Sequence, residues 1–519
     1  MSAAAAPAAP VAAPQKADIT AWLAVVAGSL GALLATLDIS IVNSSLPTIQ
    51  GEIGATAAEG TWIATAYLVA EIVVIPLSAW LERLLGLRTL LLIAAIFFTG
   101  FSVLCGLSTN LTMMVIGRAG QGFTGGVLIP TAFTIIATRL PPSQQPIGMA
   151  LFGVTAIMGP VVGPLLGGWL TINLSWHYAF FINVPVSAVL ILLLLLGLPH
   201  QKAKLDELMN ADWLGIAGLA LGLGGLTVVL EEGQREQWFE SAEIVRLTLL
   251  SAFGFLLLLA GQLLAKKPVI ALRLLFDRQF GSVFVMAIVL GMVLYGTAFV
   301  IPQFVAVIAD YDALQAGHVV LLSGIPSLML MPLVPVLMKY IDVRVAVTFG
   351  MLVMATSCWI DQGLTVTSSG DDFTYGQLLR GVGQIFVMLF LNQAAIRSVP
   401  PNLAADASGL FNTARNLGGS IGLALLASVQ EQRVWLHTRR IEETLAASNV
   451  RLQDYLAALG AGLGSPDAAM RTLAGQLQQQ ALVMTYGDLF WALAVGILIV
   501  TPLVLFLRPL PQGQMAAMH

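Results

Sequence analysis

Arg118-Ala119-Gly120-Gln121-Gly122 opens one long apolar segment, and Arg380-Gly381-Val382-Gly383-Gln384 opens another. The chain that follows each of them matches more closely. Arg139-Leu140-Pro141-Pro142 leads to Ala150-Leu151-Phe152, and Arg397-Ser398-Val399-Pro400-Pro401 leads to Gly409-Leu410-Phe411. From the second proline to the phenylalanine is ten residues in both places. A repeat on this scale marks a molecule built twice over, as transport proteins commonly are.

Outward from these stretches, the 519 residues are 57% apolar and only 10% charged, with a mean hydropathy of +0.87. Soluble domains carry roughly 25% charged residues, so there is too little charge here to clothe several water-soluble domains. About 20 apolar residues suffice to cross a bilayer. Such windows fall near 22–46, 60–81, 88–107, 111–138, 146–170, 178–198, 213–231, 244–265, 280–304, 315–338, 343–363, 378–398, 406–430 and 486–508, fourteen in all. Lys and Arg accumulate in short cytoplasmic loops. With the N-terminus inside, 14 of the 24 basic residues fall in cytoplasmic segments, and this bias persists to the end of the chain. Both termini are therefore expected in the cytoplasm.

The repeat pairs span 4 with span 12 and span 5 with span 13, an offset of eight. Two helices must lie between the halves, and the expected fold is an all-α polytopic membrane protein with 14 transmembrane helices arranged as 6+2+6. Residues 1–20 form a disordered cytoplasmic tail, 21–200 an N-terminal six-helix bundle and 201–270 the two extra helices. Residues 271–519 form a C-terminal six-helix bundle that carries a long periplasmic loop at 431–485. Parallel repeats of this kind enclose a site near the bilayer midplane and work by rocking against each other.

LDISIVNSSLP at 37–47, RAGQG at 118–122, GPVVGPLLGGW at 159–169 and WHYAFFINVP at 176–185 resemble signature stretches of major facilitator superfamily drug:proton antiporters. The chain is most similar to their fourteen-helix EmrB/QacA-type branch, and DWLG at 212–215 and RNLGGSIG at 415–422 extend the resemblance. It implies the major facilitator fold and a place in the bacterial inner membrane. It implies export of amphipathic drugs and toxic organic compounds, driven by protons with no other cofactor. Relatives in double-membraned bacteria dock a periplasmic adaptor that continues to an outer-membrane channel, so those partners are expected beside the lipid bilayer. The rival readings are proton-coupled transport of one dedicated metabolite and a receptor or scaffold that binds without transporting.

Asp38 and Glu71 lie well inside spans 1 and 2. A carboxylate in hydrocarbon costs at least a few kcal/mol, so it faces a cavity, pairs with a cation or takes up a proton. These two are the candidate proton-coupling acids, and the resemblance places Arg118 opposite the first helix as the partner of Asp38; a permanent structural pair is the alternative. Gly159, Gly163 and Gly167 recur every four residues beside Pro160 and Pro164. Small residues at that spacing let another backbone approach closely, and the resemblance reads the motif as the mark of an exporter. Glu82 and Arg83, in the loop after span 2, keep the acid and base of a gating motif in altered spacing; inside-positive anchoring explains Arg83 equally well. Candidate residues for a substrate cavity are Gln121, Phe152, Asn183, Tyr295, Gln303, Asn392, Phe411 and Asn412.

Other chemistries find little support. Net charge is −4, with no basic footprint for nucleic acid. Cys105 and Cys358 lie in apolar runs, which leaves no disulfide framework or metal cluster. The five histidines are scattered and no nucleophile or phosphate-loop motif is present, so an enzyme is not expected. Between 431 and 485, Trp435, Ile441, Leu445, Leu452, Tyr455, Leu456 and Leu459 recur at roughly helical intervals. That pattern indicates amphipathic helices whose apolar face seeks a partner or the membrane surface.

Overall fold

The computed structural model describes residues 17–204, 206–209, 211–400, 403–445 and 450–508, and it is all helical with no strand among them. The long helices are α1 (Ile19–Glu52), α2 (Trp62–Leu85), α3 (Leu87–Gly106), α4 (Leu111–Arg139), α5 (Gln145–Asn173) and α6 (Asn183–Gly197). Then come α7 (Trp213–Glu232), α8 (Ala242–Leu264) and α9 (Arg278–Ile308). The broken α10 follows (Leu314–Tyr340), and after it α11 (Val343–Asp361), α12 (Thr374–Arg397), α13 (Ala404–Thr444), α14 (Val450–Leu463) and α15 (Pro466–Val500). Most of the expected tail lies outside the described residues, and residues 19 and 20 already belong to α1.

Twelve described helices are long and apolar enough to cross a membrane, and a thirteenth is α5 if its two arms count as one span. Those arms are bent by 41°, where Pro160 and Pro164 remove two amide donors from the helix ladder. The remaining expected span falls on α13, which is too polar to pass the same test. Its polar groups are nevertheless inside, with Asp406, Ser408, Asn412, Thr413, Arg415, Asn416 and Ser420 all buried. This helix is held by its neighbours, α9, α15, α2 and α4, and not by its own apolarity.

The helix pairings repeat. α1 packs on α5 and α6, α2 on α4, and α3 on α4 and α6; the matching pairs are α9 on α13 and α15, α10 on α12, and α11 on α12 and α15. The halves meet where α2 and α4 touch α13 and where α10 touches α5. The two extra helices pack chiefly on each other, and α7 also reaches α2 and α13. Asp212 caps α7 by accepting the Gly215 amide at 2.7 Å, which satisfies one of the orphan donors of a helix N-terminus.

The glycine stripe explains the tightest of these contacts. A Cβ on Gly159 would sit 2.2 Å from Thr36 Oγ1, on Gly163 2.3 Å from Ser40 Cβ and on Gly167 2.2 Å from Ser44 Oγ. The three glycines therefore seat α5 against one face of α1. The segment between spans at 431–485, where amphipathic helices are expected, is mostly helix: α13 continues to Thr444, α14 follows, and α15 begins at Pro466. α14 has no buried residue and leans on α15, with Tyr455 donating to Gln476 at 2.8 Å.

Candidate functional site

Asp38 is fully buried on α1, and three side chains converge on it. Arg118 Nη1 donates to Oδ2 at 2.5 Å, while Gln121 Nε2 and Asn183 Nδ2 donate to Oδ1 at 2.9 and 2.6 Å. Arg118 and Gln121 share one face of α4, because positions three apart are neighbours on a helix. The arginine keeps neutral partners too: its Nε donates to the Ile63 carbonyl, Nη1 to Gln121 Oε1, and its guanidinium lies 4.3 Å from the Tyr67 ring centroid. Arg118 thus stays positioned whether or not Asp38 carries its charge. The whole network belongs to the N-terminal half.

Between the halves lies a cavity of about 290 Å³. α1 lines it with Thr36, Ser40 and Asn43, on the side of the helix opposite Asp38, and Ile129 and Phe152 stand on the same side of the cavity. Opposite stand Tyr295 and Ile301 of α9, Gln377, Arg380, Gln384 and Met388 of α12, and Arg415 of α13. Phe152 is braced by Phe133, ring centroids 4.1 Å apart. The lining is mainly apolar with a few convergent polar groups, the usual make-up of a small-molecule site.

Of the expected cavity residues, Phe152 and Tyr295 line this space, whereas Gln121 and Asn183 belong to the Asp38 network instead. Phe411, Asn412 and Asn392 are buried away from it, and Gln303 also lies outside its wall. The Asn392 amide has no hydrogen-bond partner on either atom, and neither has Gln303 Oε1. Apolar periodicity does not say which face of a polar helix turns toward a cavity, and that is why those positions were misplaced.

Glu71 is buried on α2 and opens into a second, smaller cavity shared with Glu231 of α7, Tyr295 of α9 and Asn416 and Ser420 of α13. Ser420 donates to Glu231 Oε1 at 2.7 Å. The adjacent Glu232 accepts from Thr61 and Thr65, at 3.2 and 3.0 Å, so consecutive acids of α7 bond opposite halves of the molecule. Sequence reasoning passed over this pair because it sits at the end of its span, where charges ordinarily meet water. It passed over Asp361 for the same reason. That acid, at the last residue of α11, forms a buried ion pair with Arg380.

At the end of the bundle rich in Lys and Arg, Arg83 of α2 pairs with Asp406 of α13 at 3.0 Å, bridging the halves. Glu82 is half-buried beside it. Pro160 lines the central cavity, and Gly317 of α10 lies near Pro164, so the glycine-proline stretch touches α1, the cavity and the other half. Among the described residues no group of acids, histidines and cysteines is placed to hold a metal ion.

Two repeated helical halves around an interface cavity are the architecture of a membrane transporter. Residues 28–423 match the Major Facilitator Superfamily, and the chain belongs to that family. It is 31% identical to the "Colistin resistance protein EmrB" of Acinetobacter baumannii, over 94% of this chain and 96% of that protein. The "Multidrug export protein EmrB" of Escherichia coli is also 31% identical, over 93% and 94%. The "Fatty acid resistance protein FarB" of Neisseria gonorrhoeae is 29% identical, over 96% and 97%. Among solved structures, the proton:xylose symporter XylE shares the fold with a TM-score of 0.60 at 13% identity, covering 96% of this chain and 99% of that one. The chain is a multi-pass membrane transporter and not an enzyme.

Proposed function

We propose that this protein is a proton-coupled antiporter that exports amphipathic drugs and other toxic organic compounds across the bacterial inner membrane. Both termini lie in the cytoplasm, and the exported compound passes to a periplasmic adaptor and an outer-membrane channel. The relatives named for multidrug export and for resistance to fatty acids and colistin support the cargo. The observation that carries the coupling is Asp38, a fully buried carboxylate held by Arg118 on the helix whose opposite side lines the cavity.

A proton arriving from outside at Asp38 cancels its attraction for Arg118, and the arginine falls back on Ile63, Gln121 and Tyr67. α1 is then free to shift against the glycine stripe of α5, and with it move Thr36 and Ser40 in the cavity wall. Loss of the proton to the cytoplasm restores the pair and the loading state. Each proton brings about 2.3 kcal/mol per 100 mV of membrane potential. Glu71, between α2 and α13, is the second acid of the exchange, and it faces the surface along which the halves slide.

Asp38→Asn keeps the size of the side chain and removes the titrating group. In proteoliposomes this variant is expected to lose substrate-induced proton release and uphill export while still binding substrate. Undiminished coupled transport in Asp38→Asn refutes the assignment. Competition by chemically unrelated compounds is the companion measurement, since a carrier of one metabolite ignores most of them.

A further inference from the structure

Among the described residues, the charged side chains lining the central cavity are Arg380 and Arg415, and no aspartate or glutamate joins them on the wall. Their partners differ. Arg380 is ion-paired with Asp361 and donates from Nη1 to Gln377 at 2.9 Å, so its charge is already balanced. Arg415 is only 8% exposed, yet it makes no ion pair within 4 Å among the described residues. Its side-chain hydrogen bond is a long one, Nη2 to Asn416 Oδ1 at 3.4 Å. Glu71 is close enough to feel the Arg415 charge, but it opens into the smaller cavity on the far side of Tyr295.

A buried guanidinium keeps five donors and a full charge that nothing titrates away. Leaving it without a carboxylate is costly unless the site is built to receive one. The same wall carries Tyr295 and Gln384 as further polar groups and Ile129, Ile301, Phe152 and Met388 as apolar ones. The cavity, about 290 Å³, is at the small end of ligand sites.

We infer that the central cavity selects amphipathic organic anions, with the acidic headgroup on Arg415 and the apolar body on the Phe152–Met388 side. This rests on the transport reading above and names its substrate class. It does not rest on proton coupling, because the anion seat and the Asp38 network are separate sets of residues. A monocarboxylate with an alkyl or aryl body is the simplest ligand of that chemistry.

The test uses three probes with one ten-carbon chain: decanoate, decanol and decyltrimethylammonium. Each competes for binding of labelled decanoate to the full chain in nanodiscs, corrected for empty nanodiscs, and each is followed for uptake or release in proteoliposomes. The expected order of affinity is decanoate, then decanol, then the cation. Arg415→Gln is expected to cut the anion-over-cation preference about tenfold or more, the usual weight of a hydrogen bond to a charged group, and Arg415→Lys to keep most of it. Gln384→Glu adds a carboxylate to the wall without removing the arginine and is expected to reverse the order even if Arg415→Gln fails to fold. Equal or tighter binding of the cation to the unaltered protein overturns the inference, as does an anion preference untouched by both Arg415→Gln and Gln384→Glu. If decanoate binds selectively but is never moved, the transport reading fails and the anion seat stands.

Discussion

Arg118 and Arg380 begin equivalent helices of the two halves, but they end in different surroundings. Arg118 is bonded to Asp38 in a network outside the wall of the central cavity, with both carboxylate oxygens satisfied. Arg380 borders the central cavity; its own Nε and the Asp361 Oδ1 have no hydrogen-bond partner. The glycines show where the halves diverge. Gly159 and Gly163 seat α5 on Thr36 and Ser40 of α1, and Gly418 and Gly422 seat α13 on Ile288 and Met292 of α9. In sequence Asp38 falls midway between Thr36 and Ser40, on the opposite side of α1, and Leu290 falls midway between Ile288 and Met292. The first helix of the C-terminal half carries no acid, and the arginine of that half pairs with one on α11 instead. One copy of the motif holds its arginine away from the central cavity, and the other sets its arginine in the wall.

Five substitutions press on that contrast. Arg118→Leu strips the counter-charge from a sealed carboxylate, and breaking such a buried pair costs about 3–5 kcal/mol. It should give the largest drop in thermal unfolding temperature in nanodiscs. Arg380→Leu is expected to cost less, about 1–3 kcal/mol, because Asp361 is already under-bonded and its pair borders an open space. An equal loss in the two variants breaks the contrast.

Next come the glycines. Gly163→Ala and Gly422→Ala both push a Cβ into a neighbouring helix, where it would lie 2.3 Å from Ser40 Cβ or 2.7 Å from Met292 Cα. Overpacking of this kind costs about 1–3 kcal/mol in either half. Only Gly163→Ala disturbs the helix that carries Asp38, so only it should also lower the number of protons released per substrate; matched coupling ratios would deny α1 its special part. The smallest effect is expected from Arg83→Gln. The Arg83 side chain is 39% exposed, and partly exposed ion pairs contribute about 0–1 kcal/mol. Unfolding should barely change, whereas accessibility of cysteines introduced near the Arg83–Asp406 end should rise if that pair latches the halves.

Much of the architecture could be read along the chain because a bilayer forces backbone groups to be satisfied within each segment, so length and apolarity mark the helices one at a time. The matching runs after Arg118 and Arg380 then fix the order of the halves and the insertion of two helices between them. The same logic falters at α13, whose polar residues are shielded by neighbouring helices and leave no hydropathy signal. It also placed Gln121 and Asn183 in the cavity, although they turn toward Asp38.

What the sequence determined by itself is therefore the set of local facts: which segments are helical and apolar, where the repeat lies, and that Asp38 and Glu71 are too costly to sit idle in hydrocarbon. Only the tertiary structure decided that Arg380 meets Asp361, that Glu231 and Glu232 of an inserted helix grip opposite halves, and that Arg415 stands in the cavity wall with no carboxylate beside it among the described lining residues. The reason is physical. Hydropathy belongs to a segment, whereas the energy of a buried charge belongs to a pair, and the partner is chosen by how helices distant in sequence pack.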